Sequence, residues 1–307
     1  MVQRAKAGQN NKGKNIMQVI LHTGVECTDD DRLLKSLLHN KDRLHASGVA
    51  VPGPGKYRKL LRDTMNAMAK APPGDDAREV LLDEILDGDV ADTVILSNSQ
   101  FFGTWRTALV DGEFYNLAPE RIAYMRQLFP NDQLEIFMAI RNPATFLPAM
   151  FEKSDVDDFS DFLKDTDPYS LCWSRTLTRM RQMAPDIPIT VWCNEDTPLI
   201  WTEILREITA TDESVRLKGA YDLLGAIMSR EGLRRLRHYL NENRDITGVQ
   251  RRRVIAAFLD KFALEDEIEE ELDLPGWTNE LIEDLTDIYD EDVLEIRRIP
   301  GINVITP

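Results

Sequence analysis

The sequence predicts an α/β fold in which helices flank a parallel, doubly wound sheet and a mainly helical portion follows. Short β-branched runs alternate with segments of helical apolar spacing, and the pattern from about Pro198 onward is helical. Strands separated by helices need crossover connections, so we expect them to be parallel. The 307 residues, 43% of them hydrophobic, suit one domain over residues 16–307 after a flexible basic tail at residues 1–15.

The excess of acidic residues argues against two classes of function, the binding of nucleic acid and of anionic membranes. The chain has 37 basic and 53 acidic residues and a formal net charge of −16, which opposes generic binding to nucleic acid or anionic membranes. No run of about 18 apolar residues predicts a transmembrane segment. Cys27, Cys172 and Cys193 are too far apart for a CxxC site or a disulfide framework, which favours the reducing cytoplasm.

The first strand and helix form the central unit. A β-branched strand over about Met17–Thr23 leads through Gly24 and a polar turn into a helix over about Asp29–Ser47. In α/β proteins such a junction commonly holds phosphate, because free N–H groups and the positive end of the helix dipole converge there.

The remaining elements follow from the same patterns. Two prolines and two glycines exclude a helix from the extended loop Val49–Gly55. Further strands are predicted over Thr93–Leu96, Leu134–Ile140 and Ile187–Cys193. Further helices are predicted over Lys56–Lys70, Asp75–Leu86, a segment beginning at Pro119, Tyr221–Asn243, Gly248–Phe262 and Asn279–Arg298.

Polar groups follow each of the four predicted strands. They are Gly24–Asp31, Ser97–Gln100, Arg141–Pro143 and Asn194–Asp196. Ligands bind at the carboxyl ends of strands in open parallel sheets, so this row is the expected functional site.

The first of these turns is acidic where an anion would normally bind, because it carries Glu26, Asp29, Asp30 and Asp31. In one interpretation Thr28 is the helix N-cap, Asp31 completes a capping box, and the other aspartates complement the helix dipole. In the other, Asp29, Asp30, Asp31 or Glu26 hold a divalent metal, since hard cations prefer oxygen ligands. The sequence leaves both open.

Three more candidates each allow a functional and a structural interpretation. His22 is either a general base with a pKa near neutrality or a hydrogen-bonded core residue. Cys27 is either a reactive thiolate at a helix N-terminus or an inert thiol, and the adjacent carboxylates favour the second. Arg141 is either an anion ligand or half of an ion pair.

Two surface features also stay open. Aromatic residues near the strand ends form either a wall for a flat ligand such as a sugar or core packing; they are Phe101, Phe102, Trp105, Trp192 and Trp201. The arginines over 234–237 and 251–253 either pair with the acidic stretch Glu265–Asp273 or form a surface for a protein partner.

Five segments in order carry a family resemblance: LHTG, HNKDRLHASGVAVP, IRNP, WCNED and WTNELIEDLTDIYDEDVLEI. On these segments the chain resembles the sulfotransferase superfamily, particularly its bacterial members that use 3′-phosphoadenosine 5′-phosphosulfate (PAPS). The resemblance extends from Gln18 through the terminal helix. It implies a three-layer P-loop-like fold in which the first turn cradles the phosphosulfate.

The resemblance also assigns cofactor-binding positions to Gly24, Cys27, Thr28 and Arg141. Aligned without gaps on Gly24 and Thr28, the family's main lysine falls on Cys27 and its small residues fall on the three aspartates. Arg141 matches the arginine that contacts the 3′-phosphate. The serine expected eight residues later is Ala149 here.

These departures disfavour PAPS in its usual pose. A unit charge pair at 4 Å contributes about 4 kcal/mol at an effective dielectric near 20, so exchanging a lysine for carboxylates costs several kcal/mol. We therefore expect a divergent sulfotransferase-like protein with a degenerate donor loop, one that binds a related anionic or carbohydrate ligand in place of PAPS. The alternatives are an active transferase that uses metal, Arg141 and His22, and a non-enzymatic interaction protein on the same scaffold.

Overall fold

A computed structural model describes residues 16–164, 166–211, 215, 217–264 and 274–307. The basic tail predicted at residues 1–15 and the acidic stretch at 265–273 lie outside the described residues. The proposed pairing of that stretch with the arginines therefore stays a prediction.

A six-stranded parallel sheet forms the centre of the fold, in the order β2-β3-β1-β6-β7-β8. Strands β4 and β5 form a separate antiparallel pair. The strands are β1 (Gln18–His22), β2 (Val49–Ala50), β3 (Thr93–Ser97), β4 (Leu109–Val110), β5 (Glu113–Phe114), β6 (Gln133–Ile140), β7 (Ile189–Cys193) and β8 (Ile302–Val304). The predicted α/β class with a parallel central sheet is confirmed.

Fourteen α-helices are present among the described residues. They are α1 (Arg32–His39), α2 (Lys41–His45), α3 (Pro54–Met68), α4 (Ala77–Leu86), α5 (Trp105–Ala108), α6 (Ala118–Leu128), α7 (Pro143–Glu152), α8 (Phe159–Leu163), α9 (Trp173–Met183), α10 (Thr197–Thr209), α11 (Asp222–Ile227), α12 (Arg230–Glu242), α13 (Gly248–Phe262) and α14 (Asn279–Ile296). None of these helices is both long and apolar enough to cross a membrane.

The sheet has an apolar cluster on each face, because successive side chains of a strand point to opposite sides. Ile20 and Phe137 face α1 and α10 on one side. Val19 and Ile136 face α3, α4, α6, α7, α9 and α14 on the other. This three-layer arrangement buries β1 and β6 on both faces. A third, smaller cluster joins α11, α12 and α13.

The helix predicted over Asp29–Ser47 is wrong in extent, because it divides into α1 and α2 at Asn40. The Asn40 side chain donates to the carbonyl of Ser36 (2.8 Å) and to that of Lys218 (2.9 Å), and it accepts from the Lys218 N–H (2.8 Å). Asn40 thus ends α1 and attaches its end to a segment far along the chain.

The loop predicted over Val49–Gly55 is also wrong in part. Val49 and Ala50 form β2, a two-residue strand paired with the start of β3. Helix α3 then begins at Pro54, where a proline is tolerated because the first turn needs no N–H partner. Strand β2 forms because its residues pair with β3, and the local amino-acid composition does not predict this pairing.

The second half is mainly helical as predicted, with two differences. The predicted Tyr221–Asn243 helix breaks where Met228 bridges to Ala263 and Ser229 caps α12. Strand β8 follows the last helix and pairs with β7. The predicted Gly248–Phe262 helix is confirmed at both ends.

Candidate functional site at the carboxyl ends of β1 and β6

Strands β1 and β6 are neighbours, and the chain leaves them in opposite directions. From β1 it passes β3 to reach β2, whereas from β6 it goes to β7 on the other side. This reversal is a topological switch point, where α/β folds most often bind ligands. The β1 turn (residues 23–31) therefore lies beside Arg141 and Asn142, as the sequence predicted.

The β1 turn has an unusual backbone. Gly24 has φ +52°, and three residues with side chains also have positive φ: Cys27 (58°), Asp30 (46°) and Asp31 (62°). Each such residue carries strain that the surrounding contacts must offset. Gly24 adopts its positive φ without this strain, because glycine has no Cβ. A Cβ at this position would lie 3.5 Å from Ser99, which is an ordinary contact distance. Its assignment to cofactor binding stays a prediction.

Arg141 supplies one of those contacts. Its side chain is buried, with 7% of the residue exposed. The Nη1 group donates to the carbonyl of Cys27, and Nε donates to Thr145 Oγ1 at 3.1 Å. The structure thus brings together Arg141 and Cys27, two predicted cofactor-binding residues, but they contact each other within the protein. The guanidinium stabilises the turn from inside.

Cys27 has the properties of an inert thiol. Its Sγ lies 3.4 Å from the Ala149 carbonyl and 3.5 Å from Met150 Sδ, both on α7. Burial raises the pKa of the thiol to about 11, although Lys153 and Arg141 act in the opposite direction. The thiol is therefore protonated near neutral pH, which supports the structural interpretation.

The predicted capping box is wrong. Helix α1 begins only after Asp31, which occupies the N-cap position in a left-handed conformation without a side-chain cap. Thr28 Oγ1 instead donates back to the Val25 carbonyl at 2.8 Å. Asp29 is the residue that accepts from the helix, through Leu33 N–H at 2.9 Å. The left-handed residues before α1 shift the helix start beyond the position that the sequence pattern indicated.

The other two aspartates form ion pairs with different helices. Asp30 pairs with Lys153, the residue that follows α7, at 3.1 Å. Asp31 receives two hydrogen bonds from Arg58 of α3, at 3.0 and 2.5 Å, and these lower the pKa of the Asp31 carboxyl. Among the described residues no three His, Cys, Asp or Glu side chains form a group that could hold a metal. The predicted metal site at Asp29, Asp30 and Asp31 therefore has no donor cluster.

Arg58 belongs to a network that the sequence did not reveal. Its Nε donates to the carbonyl of Ser97 at 2.9 Å, and the Tyr57 hydroxyl donates to the same carbonyl at 2.8 Å. Ser97 Oγ in turn lies 2.8 Å from His22 Nδ1. The network links Asp31 to His22 through the ends of β1 and β3. Ser97 was within the predicted row of strand ends, but no local pattern indicated Tyr57 or Arg58.

His22 is a buried imidazole. Only 2% of the residue is exposed, and its ring stacks on Trp192 with 6.0 Å between centroids and 13° between planes. Burial lowers the pKa of His22, although Asp29 and Asp31 act in the opposite direction. Its Nε2 is buried and has no hydrogen-bond partner within the described structure. These surroundings fit a core histidine, and the catalytic role stays a prediction.

The ends of β6 and β7 are attached to the last helix. Asn142 accepts from Ala144 N–H (2.9 Å), which caps α7, and donates to Thr286 of α14 (2.9 Å). Glu195 accepts from Asn142 N–H (2.8 Å) and from the Tyr289 hydroxyl (3.3 Å). Glu195 as a whole residue is exposed, but its carboxyl group forms these two partly buried hydrogen bonds. Desolvation of the carboxyl group raises the pKa of Glu195.

Most of the predicted aromatic wall is core. Phe101, Phe102, Trp192 and Trp201 are all at most 3% exposed. Trp105 alone of this set is half-buried, and it lines a cavity of about 260 Å³ near α5 and α8. A smaller cavity of about 20 Å³ lies between α2 and α3. Apart from Trp105, none of the predicted site residues lines either cavity.

The arginines of α12 and α13 have mixed partners among the described residues. Arg235 pairs with Glu231 on the same helix, and Arg252 pairs with Glu203 of α10 at 3.1 Å. Arg251 donates to the Tyr221 hydroxyl at 2.9 Å. Part of this basic concentration therefore stabilises the packing of the C-terminal helices.

Comparison with known proteins gives no family assignment. No protein-family model matches the chain, and no curated protein matches it.

Proposed function

We propose that the chain is a divergent sulfotransferase-like protein whose β1 turn does not bind PAPS in the usual pose. In this proposal the fold serves to bind a related anionic or carbohydrate ligand. The single observation that supports it is the Arg141 guanidinium, which the resemblance assigns to a phosphate and which here donates to the Cys27 carbonyl.

The charges of the turn support the same conclusion. Arg58 and Lys153, two of the cations beside the turn, are already paired with Asp31 and Asp30. A phosphosulfate entering here would have to displace a carboxylate or lie beside it. A carboxylate that lost its cation to the phosphosulfate would repel it by about 4 kcal/mol at 4 Å and an effective dielectric near 20. The usual donor pose is therefore disfavoured by several powers of ten in affinity.

A thermal-shift titration with 3′-phosphoadenosine 5′-phosphate tests the proposal. A ligand at about 100 times its Kd stabilises a protein by about 2.7 kcal/mol, which the melting temperature reports clearly. We expect no shift at millimolar nucleotide, with or without magnesium or manganese. A saturable shift that disappears in Arg141→Lys would contradict the proposal, because it would show that the nucleotide site operates.

A second titration addresses the ligand class. Sulfated and unsulfated monosaccharides, inorganic sulfate and a sugar nucleotide are compared under the same conditions. We expect a saturable shift from at least one of them. No shift from any of these compounds would contradict the statement that the protein binds an anionic or carbohydrate ligand. The statement that PAPS does not bind in its usual pose is tested separately by the nucleotide titration.

A further inference from the structure

The cavity near α5 and α8 has room for a small organic molecule. Its volume is about 260 Å³, whereas an apolar cavity of roughly 150 Å³ holds benzene. An aromatic ring with one substituent fits this space. The cavity is lined by Trp105, Arg106, Leu109, Val156, Phe162 and Lys164.

Half of the lining is aliphatic or aromatic core. Leu109 and Phe162 are each 5% exposed and belong to the main apolar cluster, and Val156 packs against that cluster. Trp105 adds a flat, half-buried ring. Aromatic rings pack favourably on such surfaces, and the apolar lining gains from removing a ligand ring from water.

The polar part of the lining is positive. Arg106 lies 4.7 Å above the Trp105 ring and is exposed, as is Lys164. Lys164 makes no ion pair with any residue that the structure describes. None of the described residues that line the cavity is a carboxylate, in a chain whose net charge is −16. The cavity therefore combines an apolar surface with a positive edge.

Two of the aspartates near the cavity have partners. Asp155 pairs with Arg106 at 2.5 Å in an exposed contact, where a competing anion exchanges readily with it. Asp158 accepts from the N–H groups of Ser160 and Asp161 and so caps α8. These contacts reduce the repulsion that an incoming anion would meet.

We propose that this cavity binds a small aromatic anion of the arene carboxylate class. The ring lies against Trp105 and Phe162, and the carboxylate accepts from Lys164 and Arg106. The proposal is independent of the function proposed above, because the two depend on different residues.

Isothermal titration calorimetry of the full chain with 2-naphthoate tests it, with 2-naphthalenemethanol as the neutral analogue. Hydrogen bonds to charged groups are strong enough that we expect the neutral analogue to bind about tenfold more weakly. Lys164→Gln should weaken naphthoate about tenfold and leave the neutral analogue unchanged. Lys59→Gln, at another exposed lysine on α3, is the matched control and should leave both unchanged.

A filled cavity gives a second test. Val156→Trp should abolish binding of both ligands, with circular dichroism and thermal melting confirming that it folds. Val156→Met, which adds less volume, takes its place if the tryptophan variant unfolds. The proposal is overturned if the wild-type chain binds neither ligand, if it binds both equally, or if a folded, filled variant still binds naphthoate.

Discussion

The β1 turn and the cavity near α5 and α8 differ in what their charged groups do. In the turn, Arg141, Arg58 and Lys153 all donate to the protein itself. At the cavity, Lys164 has no ion pair among the described residues, and the surface beside it is apolar. A strand-end motif indicates where ligands usually bind, whereas our proposal of a second site depends on an apolar cavity with exposed cations at its edge.

The largest expected loss of stability comes from removing the side chain that holds the β1 turn. Arg141→Ala leaves the buried Cys27 carbonyl without this donor, so we expect the free energy of unfolding to fall by about 2–4 kcal/mol. Urea unfolding measures it. Arg253→Ala, at an exposed arginine of α13, is the control and should change stability by less than about 0.5 kcal/mol. Equal effects of the two variants would mean that Arg141 does not stabilise the turn.

The next effect depends on pH and tests the buried His22. Its pKa is lowered in the folded protein, so below about pH 6.5 the unfolded chain binds a proton that the folded protein does not. Stability should then fall with decreasing pH, by at most about 1.4 kcal/mol per pH unit from this group. His22→Gln should remove this part of the slope between pH 6.5 and 5.

Denaturant midpoints at several pH values give the measurement. His238→Gln is the control, because it replaces an exposed histidine on α12 that lies outside the buried site. If the stability of the wild type and that of His22→Gln depend on pH in the same way, then His22 binds its proton over this pH range in the folded protein as it does in the unfolded chain. It would then be a better candidate for proton transfer than its burial suggests.

A smaller effect is expected at the ion pair of Asp31 and Arg58. The two side chains are 41% and 28% exposed, so water screens the pair and we expect Asp31→Asn to cost only about 0.5–1 kcal/mol near neutral pH. The Asp31 pKa is lowered, so this contribution is present above about pH 4 and is lost as the pH falls through the folded pKa. Unfolding of both proteins at pH 7 and pH 3 should therefore show the difference shrinking at pH 3.

The smallest effect is expected at Asp30. Its ion pair with Lys153 is about half exposed on both sides, and asparagine tolerates the positive φ of this position. We expect Asp30→Asn to change the unfolding free energy by less than about 0.5 kcal/mol. A calorimetric loss above about 1 kcal/mol would instead assign Asp30 a larger role in holding the turn.

The sequence predicted the long strands because their buried runs are local signals. Strands β1, β3, β6 and β7 lie where β-branched and apolar residues are concentrated. It missed β2 and β8, since each has only two or three residues and exists through pairing with a neighbour. It also missed the break at Asn40, whose cause is a hydrogen-bonded contact with distant Lys218.

The site was predicted in position but not in its contacts. Strand ends meet at one edge of a parallel sheet, so His22, Ser97 and Arg141 could be placed together from the sequence. The partners that neutralise the turn come from α3 and α7, and nothing local to the turn specifies Arg58 or Lys153. Three-dimensional packing therefore determined which charges are free, and the composition of the turn alone did not.

Strand β8 has a consequence for how the protein is made. During synthesis β7 emerges long before Ile302–Val304, and until then the N–H and carbonyl groups of Ile189–Val191 have no partner on that side. An exposed, apolar strand edge can pair with another chain. The nascent protein thus passes through an interval of aggregation risk that ends only when β8 is in place.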